Sequence, residues 1–138
     1  MEPINPERPD AFVIDDEHND CRAVSSVLNE LGLAVATFES AAQALTALDR
    51  HPPKVIFLDI ALRQSDAIDV LKGLGERNYP GIVQLFSANA RLLEPIQRIA
   101  LRRHLTVRPP QLKPLAKEII AQAVAAAGLG GAAVSAAH

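Results

Sequence analysis

The chain has 138 residues, a formal net charge of -2 and a single cysteine, Cys21; that length corresponds to one domain able to bury its own core, and one thiol supplies neither an internal disulfide nor a Cys-x-x-Cys zinc pair. Aromatic residues make up 4% with no Trp, so neither a stacking platform nor a bulk-charge grip on nucleic acid is expected. No apolar run reaches the roughly eighteen residues of a membrane span, and MEPINPERPD lacks the basic start and apolar run of a signal peptide, so the expectation is a cytoplasmic domain with no direct nucleic-acid and no membrane partner.

Residues Ala11–Asp15 form a short apolar run ending in acids, the pattern of a strand buried on both faces. Asn19–Leu31 follows with helical spacing of Ala23, Val24, Val27, Leu28 and Leu31, with Asn19 as N-cap and Gly32 just past the end. Leu33–Phe38 predicts a second strand. Ser40 then caps a helix to Arg50 that turns Ala44, Leu45 and Leu48 inward, stopped by Pro52 and Pro53. Lys54–Asp59 predicts a third strand. Ser65 or Asp66 caps a helix to about Arg77 with Ile68, Leu71 and Leu74 inward, and Tyr79-Pro80-Gly81 is a turn. Ile82–Phe86 predicts a fourth strand ending at Ser87, and a helix to about His104 holds Pro95 near its first turn. Leu105–Val107 predicts a short fifth strand, and Leu115–Ala127 a final amphipathic helix with Leu115, Ile119, Ile120 and Val124 on one face. Residues 10–127 thus form the domain, and the Ala/Gly-rich residues 128–138 read as a flexible tail or the start of a linker.

Strand–helix alternation repeated about five times predicts a doubly wound parallel α/β sheet with helices on both faces. Such sheets bind ligands beyond the carboxyl ends of their strands. There this chain places Asp15, Asp16 and Glu17 after the first strand, Asp59 at the third, Ser87 at the fourth and Lys113 after the fifth. Carboxylates so gathered repel, and one protonates unless a cation is present. An all-oxygen ligand set suits a hard cation, Mg²⁺ before others. A lysine and a hydroxyl beside it suit phosphoryl chemistry, with one carboxylate able to act as nucleophile and form an acyl phosphate.

The order acid pair, Asp, Ser, Lys-Pro, each at a strand end, resembles the receiver domain of two-component response regulators over about Asp10–Ala127. The resemblance implies a flavodoxin-like (CheY-like) fold of five strands. It implies that Asp15 and Asp16 bind Mg²⁺ together with Asp59 and the backbone carbonyl of Ala61, and that Asp59 is the phosphoacceptor. Ser87 would be the switch hydroxyl and Lys113 the phosphate-pairing lysine, followed by Pro114 after a peptide that is usually cis in that family. Arg108-Pro109 offers an alternative alignment with more ordinary spacing. The implied partners are a histidine kinase or phosphotransfer protein and a downstream output domain or partner protein, with self-association as a homodimer as one further outcome; the implied activity is self-phosphorylation as a signalling step, not turnover.

The chain also departs from the family pattern. Arg63 and Ala67 stand where many receivers carry Pro and Gly, and no aromatic lies in Leu105–Val107, where many carry a switch Tyr or Phe. These departures motivate a rival, a phosphorylation-independent pseudo-receiver acting as an interaction module. The run Leu58–Leu62, with Ser65-Asp66-Ala67 and a late Leu-Lys-Pro, is similar to receivers attached to cyclic-di-GMP phosphodiesterase domains. Arg91, Arg98, Arg102, Arg103 and Arg108 make the segment after the fourth strand basic, either a solvated face or a partner surface. An aspartyl-phosphate phosphatase of the haloacid dehalogenase type would need two Asp separated by one residue after the first strand, which Asp15-Asp16-Glu17 does not supply.

Overall fold

Five apolar segments form the strands β1 (Ala11–Ile14), β2 (Val35–Phe38), β3 (Val55–Asp59), β4 (Ile82–Ser87) and β5 (Thr106–Leu112) in the computed structural model, which describes residues 8–61 and 64–129, the side chains of residues 64–66 excepted. Each strand is followed by a helix: α1 (His18–Glu30), α2 (Ala41–Arg50), α3 (Gln64–Glu76), α4 (Ala90–Arg102) and α5 (Lys117–Ala126). All strand pairs are parallel, in the order β2-β1-β3-β4-β5. This is the flavodoxin-like doubly wound order, whose switch point lies between β1 and β3.

Side-chain alternation along each strand divides the core into two layers. Phe12, Ile14, Ile56, Leu58, Val83 and Leu85 pack with Leu48, Val70, Leu71, Ile96 and Ala100 of α2, α3 and α4. Ala11, Val13, Val55, Phe57 and Phe86 pack with Cys21, Val24 and Leu28 of α1 and with Ile120, Ala123 and Val124 of α5. Cys21 serves there as a small buried apolar side chain. Helices therefore cover both faces.

Four helices end alike, with one residue in the left-handed region: Gly32, Asn78, His104 and Gly128. After α1, Gly32 N–H donates to the Asn29 carbonyl and Leu33 N–H to the Leu28 carbonyl. This satisfies carbonyls that a helix end would otherwise leave open. After α5, Gly128 N–H donates to Ala125 and Leu129 N–H to Val124, and Leu129 packs against the core. Gly128 and Leu129 thus belong to the end of α5; residues 130–138 of the expected tail lie outside the described residues.

Several expected boundaries shift for identifiable reasons. Helix α1 starts at His18, and its N-cap Glu17 makes no side-chain cap. The Glu17 N–H donates to the Asp15 carboxylate, which orders the turn just before the helix, so Asn19 lies inside the first helical turn rather than at the cap. Ile68 and Ala23, expected inward, are exposed, while Ala67 and Val70 fill the α3 face. Pro95 sits in the second turn of α4; it has no N–H for the Arg91 carbonyl, and both residues are exposed, so water can take that carbonyl. The chain at Arg63 lies outside the described residues.

The largest shift concerns β5, which continues past Val107 through Pro109 and Pro110 to Leu112. As an edge strand it needs ladder bonds on one side only, and a bulge accommodates the two prolines. The register slips between Gln84 and Phe86. The buried Gln84 amide closes the gap, its Nε2 donating to the Pro109 carbonyl at 3.0 Å and the Leu85 carbonyl at 3.1 Å. Beyond the bulge the ladder resumes, and Lys113 N–H donates to the Ser87 carbonyl at 3.0 Å. Replacing Gln84 with Leu leaves the Pro109 carbonyl to the Gln111 amide alone, at 3.2 Å, and removes the bond that ties the bulge to β4; urea unfolding is expected to show a loss of roughly 1 kcal/mol with a broadened Lys113 backbone amide signal.

Candidate functional site

The sheet register assembles the site. Ile14 pairs with Leu58 and Asp59 with Phe86, so one further step along β1 places Asp15 beside Asp59. Ser87 pairs with Leu112, which puts Lys113 next in line. By alternation Asp15 follows Ala11 and Val13, and Asp59 follows Val55 and Phe57, so both carboxylates share the layer under α1 and α5.

Asp15 and Asp59 are each 2% exposed and Ser87 is fully buried. Asp16 is exposed, yet carboxylate oxygens of Asp15, Asp16 and Asp59 lie within 4.8 Å of one another. Asp59 Oδ1 accepts the Ala61 backbone N–H at 2.9 Å, and Oδ2 accepts the Lys113 ammonium at 2.9 Å. Asp15 Oδ1 accepts the Glu17 N–H at 2.8 Å. Asp15 Oδ2 lies 3.2 Å from Lys113 Nζ but in no hydrogen-bonding alignment, and has no hydrogen-bond partner among the described residues. Lys113 Nζ also donates to Asp20 Oδ2 at 2.7 Å and stands 5.5 Å from the Phe86 ring centre. The Lys113–Pro114 peptide is cis.

This packing sets the protonation of the site. Burial, reinforced by the neighbouring Asp59 carboxylate, pushes the Asp15 carboxyl up to about 7. Burial opposes the charge on Lys113, but hydrogen bonds to Asp20 and Asp59 and the charges of Asp59 and Asp15 outweigh it and raise its proton affinity. An orphaned buried carboxylate oxygen, two neighbouring carboxylates and an all-oxygen donor set fit a hard divalent cation. The acid cluster can hold such an ion.

The structure brings together Asp15, Asp16, Asp59, Ala61 and Lys113. Ala61 enters through its N–H, a contact that the sequence did not announce. Ser87 Oγ accepts the Asn89 N–H at 2.9 Å, and Asn89 in turn caps α4 by accepting the Arg91 N–H. Arg108, the competing cation, sits opposite Gln84 with Nη2 3.4 Å from Gln122 Oε1, so Lys113 is the cation that reaches Asp59. Asp20 was missed. Its signal was present: it falls on the inward stripe of α1 with Val24 and Leu28, at i+4 and i+8, where an acid has no place in an apolar core. His18, the first residue of α1, is exposed, 3.9 Å from Glu39.

The response regulator receiver domain model matches residues 11–124. The chain belongs to that family. As a receiver it is a signalling domain of two-component systems. The transcriptional regulatory protein KdpE of Mycobacterium tuberculosis is 45% identical over 63 residues, which is 46% of this chain and 28% of that protein; the match therefore spans well under a third of the curated relative. The receiver domain of NtrX from Brucella abortus superposes with a TM-score of 0.72 at 24% identity, over 86% of this chain and 97% of that one. The signal receiver domain of the putative response regulator NarL from M. tuberculosis gives 0.68 at 26% identity, over 87% and 95%. No helix among the described residues of this receiver is long and apolar enough to cross a membrane.

The Asp15 shift has a definite sign. Its carboxyl titrates near 7 in the folded receiver against 3.8 for the free side chain, so between these values the folded state holds more protons. Without divalent cation, stability should fall as pH rises through that window and level off above it. Asp15→Asn should remove the slope and raise stability at pH about 8 by roughly 1–3 kcal/mol, read by urea unfolding. Because a proton and a cation compete for Asp15, Mg²⁺ affinity measured by calorimetry should rise with pH up to about 7 and then plateau.

Proposed function

We propose that Asp59 accepts a phosphoryl group from a histidine kinase or phosphotransfer protein and that the receiver relays this change to an output domain or partner protein in the cytoplasm. The observation that carries the reading is the buried Asp59 carboxylate, held between the Ala61 N–H and the Lys113 ammonium with Asp15 and Asp16 alongside. Asp15, Asp16, Asp59 and the Ala61 carbonyl would hold Mg²⁺, which supplies charge neutralisation and orientation for a phosphoryl group.

The chain's own residues then have separable tasks. An Asp59 carboxylate oxygen attacks phosphorus. A new O–P bond forms as the P–N bond to the donor histidine breaks, and the nitrogen leaves with the electron pair. Lys113 stays protonated, and its ammonium passes from an Asp59 oxygen to a phosphoryl oxygen. The Ser87 hydroxyl keeps its own hydrogen free to donate, since its oxygen is the acceptor for Asn89. Donating to the phosphoryl group would draw Ser87 away from Asn89 and so disturb the start of α4. The exposed arginines Arg91, Arg98, Arg102 and Arg103 then offer a basic surface on and just after α4 whose geometry depends on that start; Arg98 is engaged by Glu94.

Incubation with a small-molecule phosphodonor and Mg²⁺ should add one phosphoryl group, seen as a mass increase, and Asp59→Asn should abolish it. Equal labelling of that variant would overturn the assignment. Beryllofluoride with Mg²⁺ should shift amide signals of Asp59, Ala61, Ser87 and Asn89; absence of site-specific shifts together with absence of labelling would favour the phosphorylation-independent interaction module instead.

A further inference from the structure

We propose that Asp20 is a positioning residue: it holds the Lys113 ammonium at the rim of the acid site and thereby sets how fast Asp59 takes up its phosphoryl group. The proposal rests on the reading of Asp59 as phosphoacceptor. Its physical basis is a division among the partners of one ammonium. A lysine ammonium has three N–H donors, and three carboxylates lie around Lys113 Nζ, at 2.7 Å for Asp20, 2.9 Å for Asp59 and 3.2 Å for Asp15.

These carboxylates do not stay equivalent through the reaction. Asp59 gives up its charge when one of its oxygens joins phosphorus. Asp15 belongs to the acid cluster that would hold the cation. Asp20 lies outside that cluster and is chemically unchanged throughout. It also makes the shortest of the three contacts, and its side chain is 37% exposed against 3% and 0% for Asp59 and Asp15. It therefore grips the ammonium from the solvent side, while α1 fixes its place through Val24 and Leu28 beneath. Without Asp20, the lysine stem is free to turn toward water or collapse wholly onto Asp59, and either leaves the incoming phosphoryl oxygens without a preset cation.

The test combines a resonance with a rate. In wild-type protein the Lys113 ¹⁵Nζ ammonium should give a slowly exchanging signal, which Asp20→Asn should broaden or erase and Asp20→Glu should partly restore. With a small-molecule phosphodonor at saturating Mg²⁺, Asp20→Asn should slow labelling roughly three- to tenfold, a partly exposed charged hydrogen bond's worth. Asp20→Glu should recover part of the rate. In a Lys113→Ala background Asp20→Asn should change nothing, because the pair acts as one unit. A faster rate, or an equal slowing in the Lys113→Ala background, would show Asp20 acting through its own charge or through packing and would overturn the proposal, as would an unchanged ammonium signal. If wild-type protein takes no label, the phosphoacceptor reading fails by itself, and the ammonium signal alone decides the role of Asp20.

Discussion

Burying carboxylates side by side is the constraint around which this molecule is arranged. Asp15 and Asp59 sit at adjacent strand ends, both almost out of water, and two anions so placed cannot both remain charged without a cation. Part of the required charge comes from Lys113. The backbone contributes dipoles as well, through the N–H groups of Glu17 and Ala61. What remains is one buried Asp15 oxygen with no hydrogen bond among the described residues. A structure that tolerates such a group is poised to take up a cation, because the same desolvation that raises the Asp15 carboxyl also strengthens whatever electrostatic partner arrives. The site is thus destabilised in its own interior and receptive for that reason.

The parallel sheet makes the arrangement reproducible. In a parallel ladder, neighbouring strand ends lie level, so residues far apart in the chain meet without any loop having to find its way. Asp15, Asp59, Ser87 and Lys113 follow that line across four strands. The weak member is the edge strand β5, whose prolines remove ladder donors. The Gln84 amide compensates from inside the sheet by engaging the Pro109 carbonyl, and the backbone bond from Lys113 to Ser87 locks the strand end. Placement of the ammonium therefore depends on a buried amide three positions before Ser87 and on a bulge.

How much of this could be read from the sequence follows from what each feature depends on. The α/β alternation, the strand ends and the acid pair are local, and hydrophobic period and turn residues expose them directly. The β5 boundary was misplaced because proline chemistry argues locally against a strand, whereas an edge with a bulge is a tertiary circumstance. The α1 start was misplaced because the Asp15 carboxylate reaches forward from the strand end to the Glu17 N–H and shapes the turn that makes His18 the first helical residue. Arg108 and Lys113 could not be separated by spacing, since the deciding fact is where the register resumes past two prolines. Asp20 was overlooked as an ordinary acid near a helix start, a position acids favour in any case; only its place on the apolar stripe, read together with the face shared by Asp15 and Asp59, distinguishes it.

The same geometry limits how a change at Asp59 can travel. The Ser87 hydroxyl accepts the Asn89 N–H, and the Asn89 side chain accepts the Arg91 N–H at the start of α4. These are among the few bonds available to the first turn of that helix, whose leading N–H groups have no partner within the helix. The second turn is weakened as well, because Pro95 cannot bond back to Arg91. A helix with a capped but otherwise sparsely bonded start responds to loss of its cap over its first turns, while Ile96 and Ala100 stay buried and hold its remainder in place. The proposed movement of Ser87 would thus be spent on Arg91 and its immediate surroundings rather than on the core, which is the distribution a switch needs: a small local free-energy change converted into altered surface geometry without unfolding the sheet beneath it.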